Sequence, residues 1–281
     1  MIVVTGANGQ LGRNFCRQLN ATGLDRDKLD ISDQASVAKV LGGLRPSVVV
    51  NCAAYTAVDA AEDDPATCYA INSTGAQNLA QVAAQHNALL VHISTDYVFG
   101  SNDSGSKDVA DHPHQEHDAV SPESEYAKSK LQGERFAAQC PNHLILRTCG
   151  LYGVGGNNFV ETMLRLAGQR SELSIVDDQI CNPTSTATIV KATERLIAAN
   201  QNGLFHVVNS GEMSWYDFAA EIFRQSNLDI KLTPISSEQF GAKAPRPRYS
   251  ALDTKHYENA TGDSIASIPT ALAEYLETRK P

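Results

Sequence analysis

The stretch Ile2-Val3-Val4-Thr5 is β-branched and stops at Gly6, and within a few residues Leu11, Phe15 and Leu19 take up helical spacing. A strand, a glycine loop and a helix in that order restrict the chain more than any other feature, because the helix must return over a sheet that its own strand begins. Between them, Gly6-Ala7-Asn8-Gly9-Gln10-Leu11-Gly12 places glycines three residues apart. Glycine at those points permits a tight turn, close approach of the backbone to a diphosphate, and packing of the helix on its strand. The helix N-terminus meanwhile presents oriented N–H groups to an anion. The rhythm then repeats. A helix is expected over 33–44, a continuous apolar strand over Ser47–Asn51, and a helix entered through Asp64-Pro65, with Cys68, Ile71, Gly75, Leu79 and Val82 on one face. A strand over Leu89–Ser94 follows, then a polar loop from Ser101 to Pro122, a helix over Glu123–Ala138 and a strand over Leu144–Arg147. Strands that read as unbroken apolar runs are covered on both faces, which implies a parallel sheet.

Beyond residue 150 the pieces shorten: helices near 157–169, 186–199 and 215–226, strands near 173–176 and 204–208, then a proline-rich tail that turns helical. The expected architecture is α/β. Residues 1–150 form a Rossmann-like, doubly wound parallel sheet, completed by a later strand within 173–208. Residues 151–281 mainly form a smaller, mostly helical substrate-binding domain interleaved with the first, with the cleft between the two.

Composition narrows the partners. The 281 residues carry 23 Lys+Arg against 32 Asp+Glu, a net charge of −9, so the general field repels nucleic acid and anionic membrane. The six cysteines include no C-x-x-C pair and read as reduced thiols of a cytoplasmic protein. No signal-like segment opens the chain and no apolar run approaches the ~20 residues that span a bilayer.

Three constellations carry chemistry. The glycine loop is joined by Asp25, 19 residues after Gly6, where an acid would meet an adenosine ribose. Arg13 and Arg26 are cations suited to a 2′-phosphate, so NADPH is favoured and NADH stays open. Tyr126 and Lys130 stand four apart on one helix face, a spacing that lets an ammonium lower the pKa of a phenol used in proton transfer. Thr95, in Ser94-Thr95-Asp96-Tyr97-Val98-Phe99-Gly100 at the end of a strand, offers a hydroxyl to a carbonyl oxygen as charge develops on it.

Taken together, these motifs resemble those of the extended short-chain dehydrogenase/reductases, and within them the dTDP-4-dehydrorhamnose reductase family. The likeness runs nearly end to end, through residues 6–12, 29–33, 45–62, 94–100, 126–134, 145–153, 176–184, 214–219 and 246–253. It implies NAD(P)H-dependent reduction of the C4 ketone of dTDP-4-dehydrorhamnose to dTDP-L-rhamnose. Thr95, Tyr126 and Lys130 would be the catalytic set. Gly6, Gly9, Gln10, Leu11 and Gly12 would meet the cofactor diphosphate, Asp25 the ribose, Asp30 and Ile31 the adenine, and Ala54, Tyr55, Thr56 and Lys130 the nicotinamide half. Thr95, Asp96 and Tyr126 would face the sugar, and Arg246 and Arg248 its diphosphate through bidentate guanidinium contacts. Another nucleotide-sugar reductase or epimerase of the same class, and a non-catalytic dinucleotide-binding regulatory subunit, are the alternatives; a homodimer is a candidate assembly.

Two departures from the family pattern stand out. Gly150, in Arg147-Thr148-Cys149-Gly150-Leu151-Tyr152-Gly153, occupies the place of a family tryptophan that packs on the sugar, and the second strand, near residues 20–25, is several residues short. His112, His114 and His117 among Asp111, Glu116 and Asp118 fit no metal-ligand spacing and read as an exposed acidic loop, so no metal is expected. Trp215, after the N-cap candidate Ser214, reads as a core anchor rather than a stacking residue.

Overall fold

Val3 and Val49 face one way and Val4 and Val50 the other, and all four are buried because helices cover both sides of the sheet they build. The computed structural model describes residues 1–100 and 112–279. Residues 101–111 of the expected polar loop, Asp111 included, lie outside the described residues.

The strands are β1 (Ile2–Thr5), β2 (Thr22–Leu24), β3 (Val48–Asn51), β4 (Leu89–Thr95), β5 (His143–Thr148), β6 (Glu172–Val176), β7 (Ile180–Cys181), β8 (Gly203–His206), β9 (Met213–Ser214) and β10 (Lys231–Ile235). The main sheet is parallel with six strands in the order β2-β1-β3-β4-β5-β8. The chain runs outward from β1 to β2 and then crosses to β3 on the other side. The strand order therefore reverses between β1 and β3, and a crevice opens at their carboxyl ends. Thr5 and Asn51 are paired there in register, and the Thr5 hydroxyl donates to Asn51 Oδ1 at 2.7 Å. Thr95 is likewise paired with Thr148 across β4 and β5.

One face of the sheet packs Leu29, Ile31, Val37, Leu41, Leu79 and Ala137. The other packs Leu11, Phe15, Ile189, Leu196, Phe205 and Tyr257, so the late helices Thr186–Ala198 and Lys255–Thr261 return to the first sheet. A third cluster, around Tyr152, Met163, Phe218, Ile222, Ile268 and Leu272, forms a lobe of its own beyond the cleft. In that half β6 pairs with β10 in a parallel ribbon outside the main sheet, and β7 pairs antiparallel with β9.

Two expectations change. The segment after Pro65 is not one regular helix: Pro65–Tyr69 and Gly75–Gln85 are joined by a π-helical turn over Ala70–Thr74. One extra residue in a turn re-aims the side chains on it, and such turns occur often at functional sites. Nor is the 112–118 segment exposed throughout: His112 and His117 are exposed as expected, and His114 is not. His114 is buried with its ring stacked on Phe99 at 4.1 Å, and the Glu116 carboxylate accepts the backbone N–H of His206 at 2.8 Å. Burial lowers the pKa of His114, so a neutral imidazole packs there as an aromatic ring. Among the described residues no cluster of metal-ligating side chains occurs and no helix is long and apolar enough to cross a membrane.

Candidate active site

The helix Gln10–Gln18 begins at Gly9, whose missing side chain leaves its first turn without a side-chain cap, whereas Ser124, Asn158, Ser185, Ser214 and Ser267 all cap theirs. Its N–H groups are thus left for an anion. The loop before it needs glycine for space. A Cβ on Gly6, which has φ +65°, would stand 2.6 Å from the backbone N of Ala53, and one on Gly12 would stand 2.3 Å from the Gly6 carbonyl oxygen. Asp25 directly follows β2, and the pairing of Leu24 with Thr5 sets it beside this loop. Asn8 Nδ2 donates to its carboxylate at 3.3 Å. The short second strand therefore still delivers an acid next to the glycine turn. Cradle, open helix end and acid together fit a nicotinamide dinucleotide.

These elements line a cleft of about 670 Å³, within the ordinary range for ligand sites. Of the residues expected to meet the cofactor, Gly9, Gln10, Leu11, Gly12, Ala54, Thr56 and Lys130 line it. The Gln10 side chain is turned to the 151–158 loop, donating to the Leu151 carbonyl at 3.0 Å and accepting from Asn158 at 3.1 Å. Ile31 sits in the core and its carbonyl accepts from Asn78 at 2.9 Å. Asp30 accepts from the N–H and hydroxyl of Ser32, which hold its carboxyl below the usual range. Tyr55 is fixed through its backbone, its N–H donating to Asn72 Oδ1 at 2.8 Å and its carbonyl accepting from Asn72 Nδ2 at 3.1 Å.

Thr95, Asp96, Tyr126 and Lys130 converge on the same cleft. Helix Glu125–Ala137, capped by Ser124, carries the last two; β4 ends in Thr95, and Asp96 opens the short 3₁₀ turn Asp96–Phe99 that follows it. Lys130 is buried and its ammonium donates to the Ile93 carbonyl; loss of water lowers its pKa to about 8. Tyr126 is pushed upward, first by burial and also by the Asp96 charge, against the effect of its hydrogen bond with Thr95. The expected lowering by Lys130 is not seen; its ammonium donates instead to the Ile93 carbonyl. A phenol so placed stays protonated at neutral pH, ready to give its proton.

Asp96 is buried, and burial raises its pKa. It accepts from the Thr95 hydroxyl at 3.0 Å and from the Ser250 hydroxyl at 2.6 Å, which fixes Thr95 from behind. Tyr97 meets Tyr126 edge to face at 5.9 Å. Arg246 Nη2 donates to Asp59 Oδ2 at 2.9 Å and Nη1 to the Ala244 carbonyl at 3.2 Å. Arg248 is exposed, and Pro247 between the two arginines lines the cleft.

Sequence reading missed Asn72, Ser129 and Ser250. Asn72 stands on the π-turn and also donates to Ser129 at 3.0 Å, joining the 53–57 loop to the catalytic helix. The Ala70-Ile71-Asn72-Ser73-Thr74 string, polar within an apolar helical pattern, was its visible signal. The space at Gly150, which has φ +51°, is bounded by Trp215: a Cβ there would stand 3.0 Å from the indole edge. Trp215 is not solely a core anchor, since its partly buried ring also forms cleft wall.

A doubly wound sheet with an open glycine loop at its switch point and a Tyr-x-x-x-Lys helix beside it defines an oxidoreductase of the extended short-chain dehydrogenase/reductase class. The chain belongs to the RmlD substrate binding domain family, whose model matches residues 1–280. It is 41% identical to the spore coat polysaccharide biosynthesis protein SpsK of Bacillus subtilis over 99% of this chain and 97% of that one. A crystal structure of a dTDP-4-dehydrorhamnose reductase from Clostridium acetobutylicum superposes with a TM-score of 0.93 at 43% identity, covering 99% of this chain and 98% of that one. The dTDP-4-dehydrorhamnose reductase of Bacillus anthracis, in complex with NADP, gives a TM-score of 0.93 at 36% identity over the same shares.

Proposed function

We propose that this chain reduces the C4 ketone of dTDP-4-dehydrorhamnose to dTDP-L-rhamnose, with NADPH as reductant. The observation that carries the reading is the convergence of Thr95, Tyr126 and Lys130 on the cleft that the open glycine loop also lines. Relatives of matching length named for that reaction support it. The bound dinucleotide supplies hydride; the protein supplies position and charge. The Thr95 hydroxyl, whose one proton goes to Asp96 in the structure, turns that proton to the ketone oxygen as negative charge grows on it, and Tyr126 delivers the proton that makes the alcohol. Lys130 keeps a cation under the nicotinamide end of the cleft. Gln10, Leu11 and Gly12 offer backbone N–H groups to the diphosphate, Gly9, whose own N–H is held by the Gly6 carbonyl at 3.0 Å, lies against it, and Asp25 meets the ribose. Arg246 and Arg248 flank the cleft at Pro247 and are assigned to the diphosphate of the sugar nucleotide.

Residues 1–150 with β8 are assigned to dinucleotide binding, and most of 151–279 to the sugar. With six free thiols and cytoplasmic co-substrates, the site of action is proposed to be the cytoplasm. The test is NADPH oxidation with dTDP-4-dehydrorhamnose, set against GDP- and UDP-linked 4-ketosugars. Turnover with the dTDP sugar is expected to exceed the others; preferred turnover of a GDP or UDP sugar, or tight dinucleotide binding with no turnover, would overturn the reading.

A further inference from the structure

We propose that the indole of Trp215 is the sugar-recognition element of the cleft, its face packing on the C–H-rich face of the hexose and its Nε1–H donating to a hexose oxygen. This rests on the function proposed above. Trp215 lines the same cleft as Thr95, Asp96 and Tyr126. Its ring makes no hydrogen bond with any described residue, although tryptophans that meet a protein interior usually find a partner for the N–H. A planar apolar surface with one unused donor is the chemistry that reads a sugar ring.

The ring is also held still. Trp215 opens the helix Trp215–Gln225, whose start is fixed by a capping box between Ser214 and Asp217. Antiparallel pairing of Ile180 with Ser214 pins that start to β7. Phe159 packs against the indole with ring centroids 4.7 Å apart, and Gly150 meets its edge so closely that a Cβ there would stand 3.0 Å from the ring, tighter than ordinary contact. An aromatic plane with two side-chain torsions, already immobilised, loses little entropy when it binds. The glycine loop and Ala54 serve the dinucleotide, which leaves the wall of Cys181, Trp215 and Pro247 to the hexose.

Trp215 is the sole tryptophan of the chain, so the intrinsic fluorescence of the unmodified protein reports this one ring. The NADP⁺-loaded protein is titrated with dTDP-L-rhamnose and, separately, with dTDP. A saturable emission change with dTDP-L-rhamnose that dTDP does not reproduce is expected. Trp215→Phe, which keeps a plane but removes the N–H, is expected to raise KM for the ketosugar about five- to twentyfold, with kcat within about twofold and NADP⁺ affinity unchanged. Equal responses to dTDP and dTDP-L-rhamnose, or an unchanged KM in a folded Trp215→Phe protein, would overturn the assignment. Should Trp215→Phe fail to fold, the wild-type titration decides alone. Absence of any ketosugar turnover by the wild type tells against the proposed reaction instead, and a sugar-specific emission change would then still stand.

Discussion

Tyr126 is kept in its protonated form by its surroundings, and this suits a residue that gives a proton rather than takes one. Tyr126→Phe is therefore expected to lower kcat about 10²- to 10⁴-fold while NADP⁺ binding, measured by calorimetry, changes little. Lys130 sets the pH limit. Its pKa, lowered by burial to about 8, means that the ammonium is charged below that pH and neutral above it. The kcat/KM profile is expected to be flat near neutrality and to fall about tenfold per pH unit above about 8; a rise through that range would contradict the role given to the cation. Folding stability runs the opposite way. The unfolded lysine holds its proton to higher pH, so unfolding takes up a proton between about 8 and the ordinary lysine value of 10.5, and stability rises with pH across that window.

At the level of elements, the catalytic helix is positioned by a neighbour with irregular geometry. The π-turn Ala70–Thr74 aims Asn72 so that one amide holds both backbone groups of Tyr55 and reaches Ser129. Asn72→Ala is expected to cost about 1–3 kcal/mol, because those backbone groups lose their partner, and to raise KM for NADPH; thermal melts and steady-state kinetics measure the two. Sequence pattern located nearly every strand and helix of the main sheet, since runs such as Val48–Val50 and Leu89–Val91 are unbroken and apolar and the helix caps Asp33, Asp64 and Ser124 are local signals. The glycine loop, Thr95, Tyr126 and Lys130 were legible for the same reason: each motif sits at the end of a regular element. What pattern could not give was non-local. The π-turn keeps helical spacing on both sides of it, the docking of His114 on Phe99 joins a loop to the end of β4, and Ser250 meets Asp96 across 154 residues. Nor does a run of five residues over 172–176 say whether it joins the main sheet or, as here, the ribbon with β10.

Over the whole molecule, a fourth hydrophobic cluster of Val98, Phe99, Leu131, Cys149, Cys181, Val208 and Leu252 lies under the cleft and joins the sheet to the second lobe. Polar ties close the same junction, among them Asp59–Arg246 at 2.9 Å, with the Asp59 side chain about half exposed (48%). Because that pair faces solvent on one side, Arg246→Ala is expected to cost only about 0–1 kcal/mol in stability, yet to raise KM for the nucleotide sugar several-fold; unfolding curves and sugar titrations separate the two effects. Segment 246–252 also crosses back over the cleft, sending the Ser250 hydroxyl to Asp96 and the Leu252 N–H to Asn182. A ribosome releases this chain from its amino end, so the glycine loop, Thr95, Tyr126 and Lys130 all emerge long before Ser250 does. Competence to reduce a ketone is therefore expected to be the last property that a nascent chain acquires, and a message cut short of codon 250 would yield a product without Ser250 behind Asp96.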